Sequence, residues 1–202
     1  MINVSEGRRS DVLDRIAAEA GPLLLDVHFD AGHHRAVLTL AGPTAVLEEA
    51  VRAVAGAAVA LLDLRSHDGA HPRLGVVDVV PWVDLAAPRE VTEEATAACD
   101  RFAEWAGAEL ALPCFLYGPE RALPEVRRRA FDDLPPDTGP AERHPTAGVC
   151  AVGVRPVLVA YNLWLANDPG VDLSLARRIA AGLRGPAVRA LGLSAGGSLQ
   201  VS

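Results

Sequence analysis

Between Arg65 and Trp82 the chain reads RSHDGAHPRLGVVDVVPW. Two histidines, His67 and His71, share a short polar loop with Arg73 and two glycines. The loop runs straight into an apolar strand, Val76 to Val80, that carries one carboxylate, Asp78. An imidazole titrates near neutral pH, so it can take a proton from an amine and return it to a departing nitrogen. His71 is the best placed for that work, held by Pro72 and close to Arg73. A second polar cluster, His33 and His34 beside Asp30 and Arg35, follows an earlier strand. There an ordinary hairpin turn is the competing reading.

Other chemistries find less support. The six histidines stand at 28, 33, 34, 67, 71 and 144, with no HExxH pair. His67 and His71 have helical spacing, but Gly69 and Pro72 make the segment a loop, so no metal is expected. No GxSxG is present, and Cys114, in a strand after a proline, reads as a buried inert thiol. Gly196-Gly197 lacks the Lys-Ser/Thr of a phosphate loop and opens no helix. The three cysteines, Cys99, Cys114 and Cys150, form no CxxC and read as reduced thiols of a cytoplasmic protein. A formal net charge of -7 argues against a nucleic-acid partner. The basic run Arg127 to Arg129 reads as a solvated helix face. The start, MINVSEGRR, has no signal-peptide core, and no apolar run approaches the ~18 residues of a membrane span. A soluble, cytoplasmic protein with no membrane partner is expected.

The elements that must position these side chains follow from periodicity. Ser10 caps a helix carrying Val12, Leu13, Ile16, Ala17 and Ala20, stopped by Gly21-Pro22. Leu23 to Phe29 and Ala36 to Leu40 read as a strand hairpin. Thr44 opens an Ala-rich helix to about Leu62, and Thr92 one over about 93–110. Pro113 to Tyr117 is a strand and Leu123 to Ala130 a short basic helix. A Pro/Gly-rich loop covers Leu134 to Gly148; unstructured loops of that length are usually functional or disordered. Arg155 to Leu165 reads as one long strand, Leu173 to Leu183 as a helix, and Val188 to Ser202 as a hairpin turning at Ala195-Gly196-Gly197. With 202 residues, half of them hydrophobic and only 4% aromatic, the chain supports one sizeable aliphatic core. The expected class is α/β, α+β-like, with a mixed sheet and helices mainly on one face.

Longer motifs sharpen this. NVSEGR from Asn3, DAGHHRAVLTLAGP from Asp30 and DLRSHDGAHPRLGVVDVVPW from Asp63 occur in order. PCFLYG from Pro113, the DTGP loop at Asp137 and the segment through Ala160-Tyr161-Asn162 follow. Over about residues 2–185 the chain thereby resembles the formiminotransferase family, and HPRxGxxDVxP is a specific pattern. The resemblance implies an N-terminal formiminotransferase subdomain over 1–186, with a tail hairpin over 187–202 that at most begins a second subdomain. It implies an enzyme of one-carbon metabolism and histidine degradation. Such an enzyme moves a formimino group from N-formimino-L-glutamate to N5 of tetrahydrofolate, a co-substrate rather than a bound cofactor. His71 matches the family's general acid/base. Asp30 matches an acidic residue that could orient it, while Arg35 and Arg73 suit carboxylates of either substrate. Gly139, Pro140, His144, Pro145, Thr146 and Gly148 fall in the segment expected to line the folate site.

Two departures stand out. His34-Arg35 replaces the family's usual Asn-Arg, and Ala70 stands where Glu usually precedes the histidine. The chain also covers one lobe of a two-lobed transferase and stops on Leu199-Gln200-Val201-Ser202, in mid-strand by pattern. A homodimer partner or a second lobe is therefore expected to complete the cleft. The alternative is a non-catalytic or weakly active folate-binding or regulatory protein of the same fold.

Overall fold

A computed structural model describes the protein at residues 1–195 and 197–202. The first six elements are β1 (Ile2–Val4), α1 (Ser10–Ala18), β2 (Leu24–Asp30), β3 (Arg35–Leu40), α2 (Thr44–Leu61) and β4 (Val77–Trp82). β3 runs antiparallel to both β1 and β2, and β1 antiparallel to β4. The chain thus makes β1, crosses by α1 to a parallel strand two places away, and fills the gap with β3. This is the split βαβ arrangement. After α3 (Glu93–Glu109), β5 (Cys114–Tyr117) and α4 (Leu123–Arg129), the strand β6 (Cys150–Val154) inserts parallel between β4 and β5. The six-stranded order is β2-β3-β1-β4-β6-β5, the mixed α/β sheet that the sequence pattern called for.

The helices sort by face. Val12, Leu13 and Ile16 of α1, Val51, Val54, Ala55 and Ala58 of α2, and Phe102, Ala103 and Ala106 of α3 share one core with Ile2, Val4, Leu38 and Val80. The run of alanines lets α2 approach the sheet closely. On the opposite face α4 and the turn after it cover strand, with Val126 against Val79, Phe115 and Ala151 and with Phe131 and Leu134 packed alongside. The β2-β3-β1 half of that face keeps its polar side chains half-exposed or exposed: Asp26 and His28, Arg35 and Thr39, and Asn3. A sheet face covered at one end and open at the other is where a site can be built.

A bulge aims Asp78 at that face. Asn3 lies opposite Val79 and Val4 opposite Val77, so β4 carries one extra residue, Asp78. Strict alternation would send Asp78 toward the helices with Val80. The bulge interrupts the alternation, and Asp78 meets Arg35 and Arg127 instead.

Two strands escape the sequence reading, and one is overcalled. β1 is three residues long, too short to show a period of two. β6 is buried throughout, as a central parallel strand is, and so shows no alternation. The strand expected over Arg155 to Leu165 is absent: Pro156 brings no N–H donor, and regular pairing resumes only at β7 (Leu163–Trp164).

The chain divides into two compact units, Met1–Val157 and Leu158–Ser202. In the second, α5 (Leu173–Leu183) packs Ala176 and Ala180 on Val201 of a small sheet, β7-β9-β8, with β8 at Gly192–Ala195 and β9 at Ser198–Val201. The helix comes so close that a Cβ at Gly192 would sit 2.6 Å from the backbone of Ala176. The expected turn Ala195-Gly196-Gly197 includes Gly196, which lies outside the described residues. No helix among the described residues is long and apolar enough to cross a membrane.

Candidate active site

Asp78 is the anchor of the site. It is fully buried, and a buried carboxylate must be paired and hydrogen-bonded. Its Oδ2 accepts from Arg35 Nη1 at 2.6 Å and from Arg127 Nη2 at 2.7 Å, and its Oδ1 accepts the Leu74 N–H at 2.6 Å. Burial works to raise its pKa; Arg35 and then Arg127 outweigh that and hold the carboxyl below the usual carboxylate range. Two guanidiniums share one carboxylate, so this three-residue cluster carries one net positive charge. The second nitrogen of Arg35 donates to Asn3 Oδ1 at 2.8 Å, so β1, β3, β4 and α4 are tied together at this point.

His71 lies over the same cluster. Its Nδ1 is 2.6 Å from the Pro72 carbonyl oxygen, which can only accept. The neutral ring therefore carries its proton on Nδ1 and presents the Nε2 lone pair. Burial pushes its pKa down to about 4, and the Arg35 and Arg127 cations add to the effect against the pull of the Pro72 carbonyl and Asp78. The ring is therefore neutral throughout the ordinary pH range. Arg127 Nη1 donates to the same Pro72 oxygen at 2.8 Å.

The proposed helpers of His71 are arranged differently from the sequence expectation. Asp30 does not bond His71: its Oδ1 takes the His33 backbone N–H at 2.7 Å and pairs with His33 Nδ1 at 2.8 Å. The link to His71 is indirect, through the His33 ring, whose centroid is 6.3 Å from that of His71. Arg73 is a strut of its own loop, donating to the carbonyls of His67 at 2.6 Å, Gly69 at 2.9 Å and His71 at 3.3 Å. Arg35 is likewise committed, to Asp78 and Asn3. Neither fork stands open to grip a ligand carboxylate.

The Pro/Gly loop contributes at one end only. His144 and Gly148 exchange backbone hydrogen bonds, and His144 Nδ1 accepts the Ala147 N–H at 2.9 Å and the Thr146 N–H at 3.3 Å. Thr146 carbonyl accepts from Leu64, and Gly148 bridges Gly75. A Cβ on Gly148, whose φ is +73°, would stand 2.5 Å from Leu74 O. This end backs the point where the histidine loop enters β4. Gly139 is elsewhere, packed on Gly107 of α3 and on Leu112 O, and Pro140 and Pro145 are exposed. The structure does not gather the six residues around one point.

Arg127 lies in the basic run that reads from sequence as a solvated helix face, and the structure instead turns it onto Asp78. Its neighbours carried the signal: Leu123, Val126, Arg127 and Ala130 fall at i, i+3, i+4 and i+7, one helical stripe. Val126 of that stripe is fully buried, while Arg128 is exposed.

The other histidine pair is closed. His34 and His67 stack at 4.1 Å between centroids. His67 Nε2 donates to His34 O at 2.7 Å while its Nδ1 accepts from Gly69 at 3.2 Å. His34 Nδ1 accepts from Gly7 at 3.1 Å, and the buried Glu6 gathers the N–H groups of Gly7, Arg8 and Arg9. The three thiols are buried and free, and burial pushes the Cys99 thiol up to about 12. No group of three or more His, Cys, Asp or Glu among the described residues is placed to hold a metal ion. In an open pocket of ≈ 440 Å³ between α2 and α3, Glu48 pairs with both Arg101 and Arg52.

A split βαβ sheet that carries a histidine beside a buried carboxylate shared by two arginines makes an α/β domain with a candidate acid–base site. The model of the formiminotransferase domain, N-terminal subdomain, matches residues 1–155, and the chain belongs to that family. A glutamate formimidoyltransferase of Streptococcus pyogenes serotype M1 is 37% identical over 203 residues, 91% of this chain and 66% of that protein. A formimidoyltransferase-cyclodeaminase of Rattus norvegicus is 33% identical over 202 residues, 90% of this chain and 36% of that protein. A glutamate formimidoyltransferase of Thermoplasma acidophilum is 31% identical over 207 residues, covering 90% and 65%. The chain thus spans about two thirds of the single-function relatives and about a third of the bifunctional one.

Proposed function

We propose that the chain carries the proton-transfer half of a glutamate formiminotransferase, moving the formimino group of N-formimino-L-glutamate to N5 of tetrahydrofolate. The observation that carries the reading is His71, neutral, with Nδ1 bonded to Pro72 O and Nε2 presented as the base. In the reaction, the folate nitrogen attacks the formimino carbon and a tetrahedral adduct forms. The attacking nitrogen becomes cationic and strongly acidic, so a weakly basic imidazole suffices to take its proton. The same imidazolium returns the proton to the glutamate nitrogen as its bond to carbon breaks. The positive charge of Arg35 and Arg127 over Asp78 favours approach of these polycarboxylate substrates. Thr146 and Gly148 stand behind the histidine loop, so that end of the Pro/Gly segment would serve the site by holding that loop.

The reading places further binding surface outside this chain. In the second unit Val159, Tyr161, Leu163 and Trp164 are exposed, Val159 at 84%. Apolar side chains clustered in this way mark an interaction surface, which a second lobe or a second copy would cover. The test is transfer of a 13C-labelled formimino carbon from formiminoglutamate to tetrahydrofolate by the purified chain, with sedimentation velocity on the same sample. Labelled 5-formiminotetrahydrofolate is expected. Tetrahydrofolate binding with no labelled product would replace the proposal with the non-catalytic folate-binding reading.

A further inference from the structure

The neutral state of His71 is held by groups that also hold the loop. Pro72 O is shared: it accepts from His71 Nδ1 at 2.6 Å and from Arg127 Nη1 at 2.8 Å. The other arm of Arg127 reaches Asp78 Oδ2 at 2.7 Å, where Arg35 also binds. Asp78 in turn accepts the Leu74 N–H two residues beyond Pro72. One guanidinium fork therefore spans from the carbonyl that fixes the histidine tautomer to the carboxylate that fixes the loop's exit. We propose that Arg127 is the positioning residue that sets the tautomer and charge state of His71 through the Pro72 carbonyl. The proposal rests on the reading of His71 as the base.

The physics runs through geometry and charge together. The Pro72 oxygen has two lone pairs, and its position decides which imidazole nitrogen carries the proton. Without Arg127 nothing on α4 ties that carbonyl to Asp78, and the Nε2–H tautomer becomes accessible. The cation also opposes a second positive charge on the ring. The groups facing His71 are Arg35 from β3, Asp78 from β4, Arg127 from α4, and His33 with Asp30 from the β2–β3 turn. Arg73, on the histidine's own loop, points its nitrogens at loop carbonyls. Among these only Arg127 touches both Pro72 O and Asp78. Lysine at 127 would keep the charge but, as a single point donor, could not make both bonds.

The experiment is 15N-histidine NMR on the full 202-residue chain, following the His71 ring nitrogens from pH 8 to pH 3.5. Wild type, Arg127→Met, Arg127→Lys and the exposed-site control Arg128→Met are compared. In Arg127→Met the His71 midpoint is expected to rise by about one pH unit, as removal of a nearby like charge does. The Nε2–H tautomer is expected to appear beside the Nδ1–H form. Arg127→Lys is expected to hold the midpoint near wild type but lose the single tautomer. Asp78 keeps Arg35 in every variant, so no buried carboxylate is orphaned. An unchanged midpoint and tautomer in Arg127→Met, or the same change in Arg128→Met, overturns the proposal. If Arg127→Met does not fold, a single Nδ1–H tautomer retained in Arg127→Lys overturns it. The readout needs no turnover, so failure of the transferase reading and failure of this one are separately visible.

Discussion

Two histidine pairs arise from the same two loops and end in opposite states. His33 and His34 are neighbours on the β2–β3 turn, and they meet His71 and His67, respectively, on the loop before β4. In the His34–His67 pair the stacked rings spend their bonds on backbone: Gly7, Gly69 and the His34 carbonyl. That pair is a clasp holding the turn to the loop. In the other pair His71 commits only Nδ1 to backbone, and beneath it lie two arginines sharing one carboxylate. The difference teaches that position decides what a histidine is left with: His67 has both ring nitrogens bonded to backbone, whereas His71 keeps one back beside an organised charge.

The comparison can be broken by substitution. The largest effect is expected for His71→Ala, which should lower formimino transfer by about 10²–10⁴-fold with an unchanged circular dichroism spectrum. Equal loss in His67→Ala would erase the distinction between the pairs. Next comes Asp78→Ala, which leaves two guanidiniums without their buried partner and should cost about 3 kcal/mol in urea unfolding. A cost near zero would show that Asp78 anchors nothing. His67→Phe keeps a ring to stack but loses the bonds to Gly69 and His34 O, for about 1 kcal/mol. Smallest is Arg8→Ala, which removes the exposed Arg8–Asp68 pair and the bond to Ala31 O and should move the urea midpoint least of the three.

Much of this was legible from residues. The hairpin, the helices and the strand behind the histidine loop follow from periodicity, and Thr92 caps α3 by accepting the Ala95 N–H; Ser10, expected as a cap, is instead the first helical residue of α1 and makes no capping bond. The weight on the loop around His71 came from Pro72 and the density of polar groups. What stayed hidden depended on pairing at a distance. Asp30 looked adjacent to catalysis because its motif is, yet its bonds are local. Arg73 and Arg35 looked free because sequence does not show which carbonyls or carboxylates a guanidinium meets. Asp78 seemed a lone charge in an apolar strand; the bulge that turns it exists only once β1, itself too short to recognise, pairs with β4. His34, at φ +52°, occupies a left-handed position where the family's usual Asn would also fit, so that departure keeps the turn.

Acid dependence joins the two pairs and then separates them. His34, His67 and His71 all sit below their ordinary pKa, burial being the first cause in each. The unfolded chain therefore takes up protons first as pH falls below about 6.5, and stability, full above that pH, is lost on acidification. Catalysis should depend on His71 alone. The most direct test is the pH dependence of single-turnover formimino transfer in wild type and His67→Phe, read over the range where both remain folded. The expected result is the same acid limb in both, placed near the depressed His71 value of about 4 and not near 6.5. A limb near 6.5, or one that moves with His67→Phe, would contradict the assignment of His71 as the neutral base.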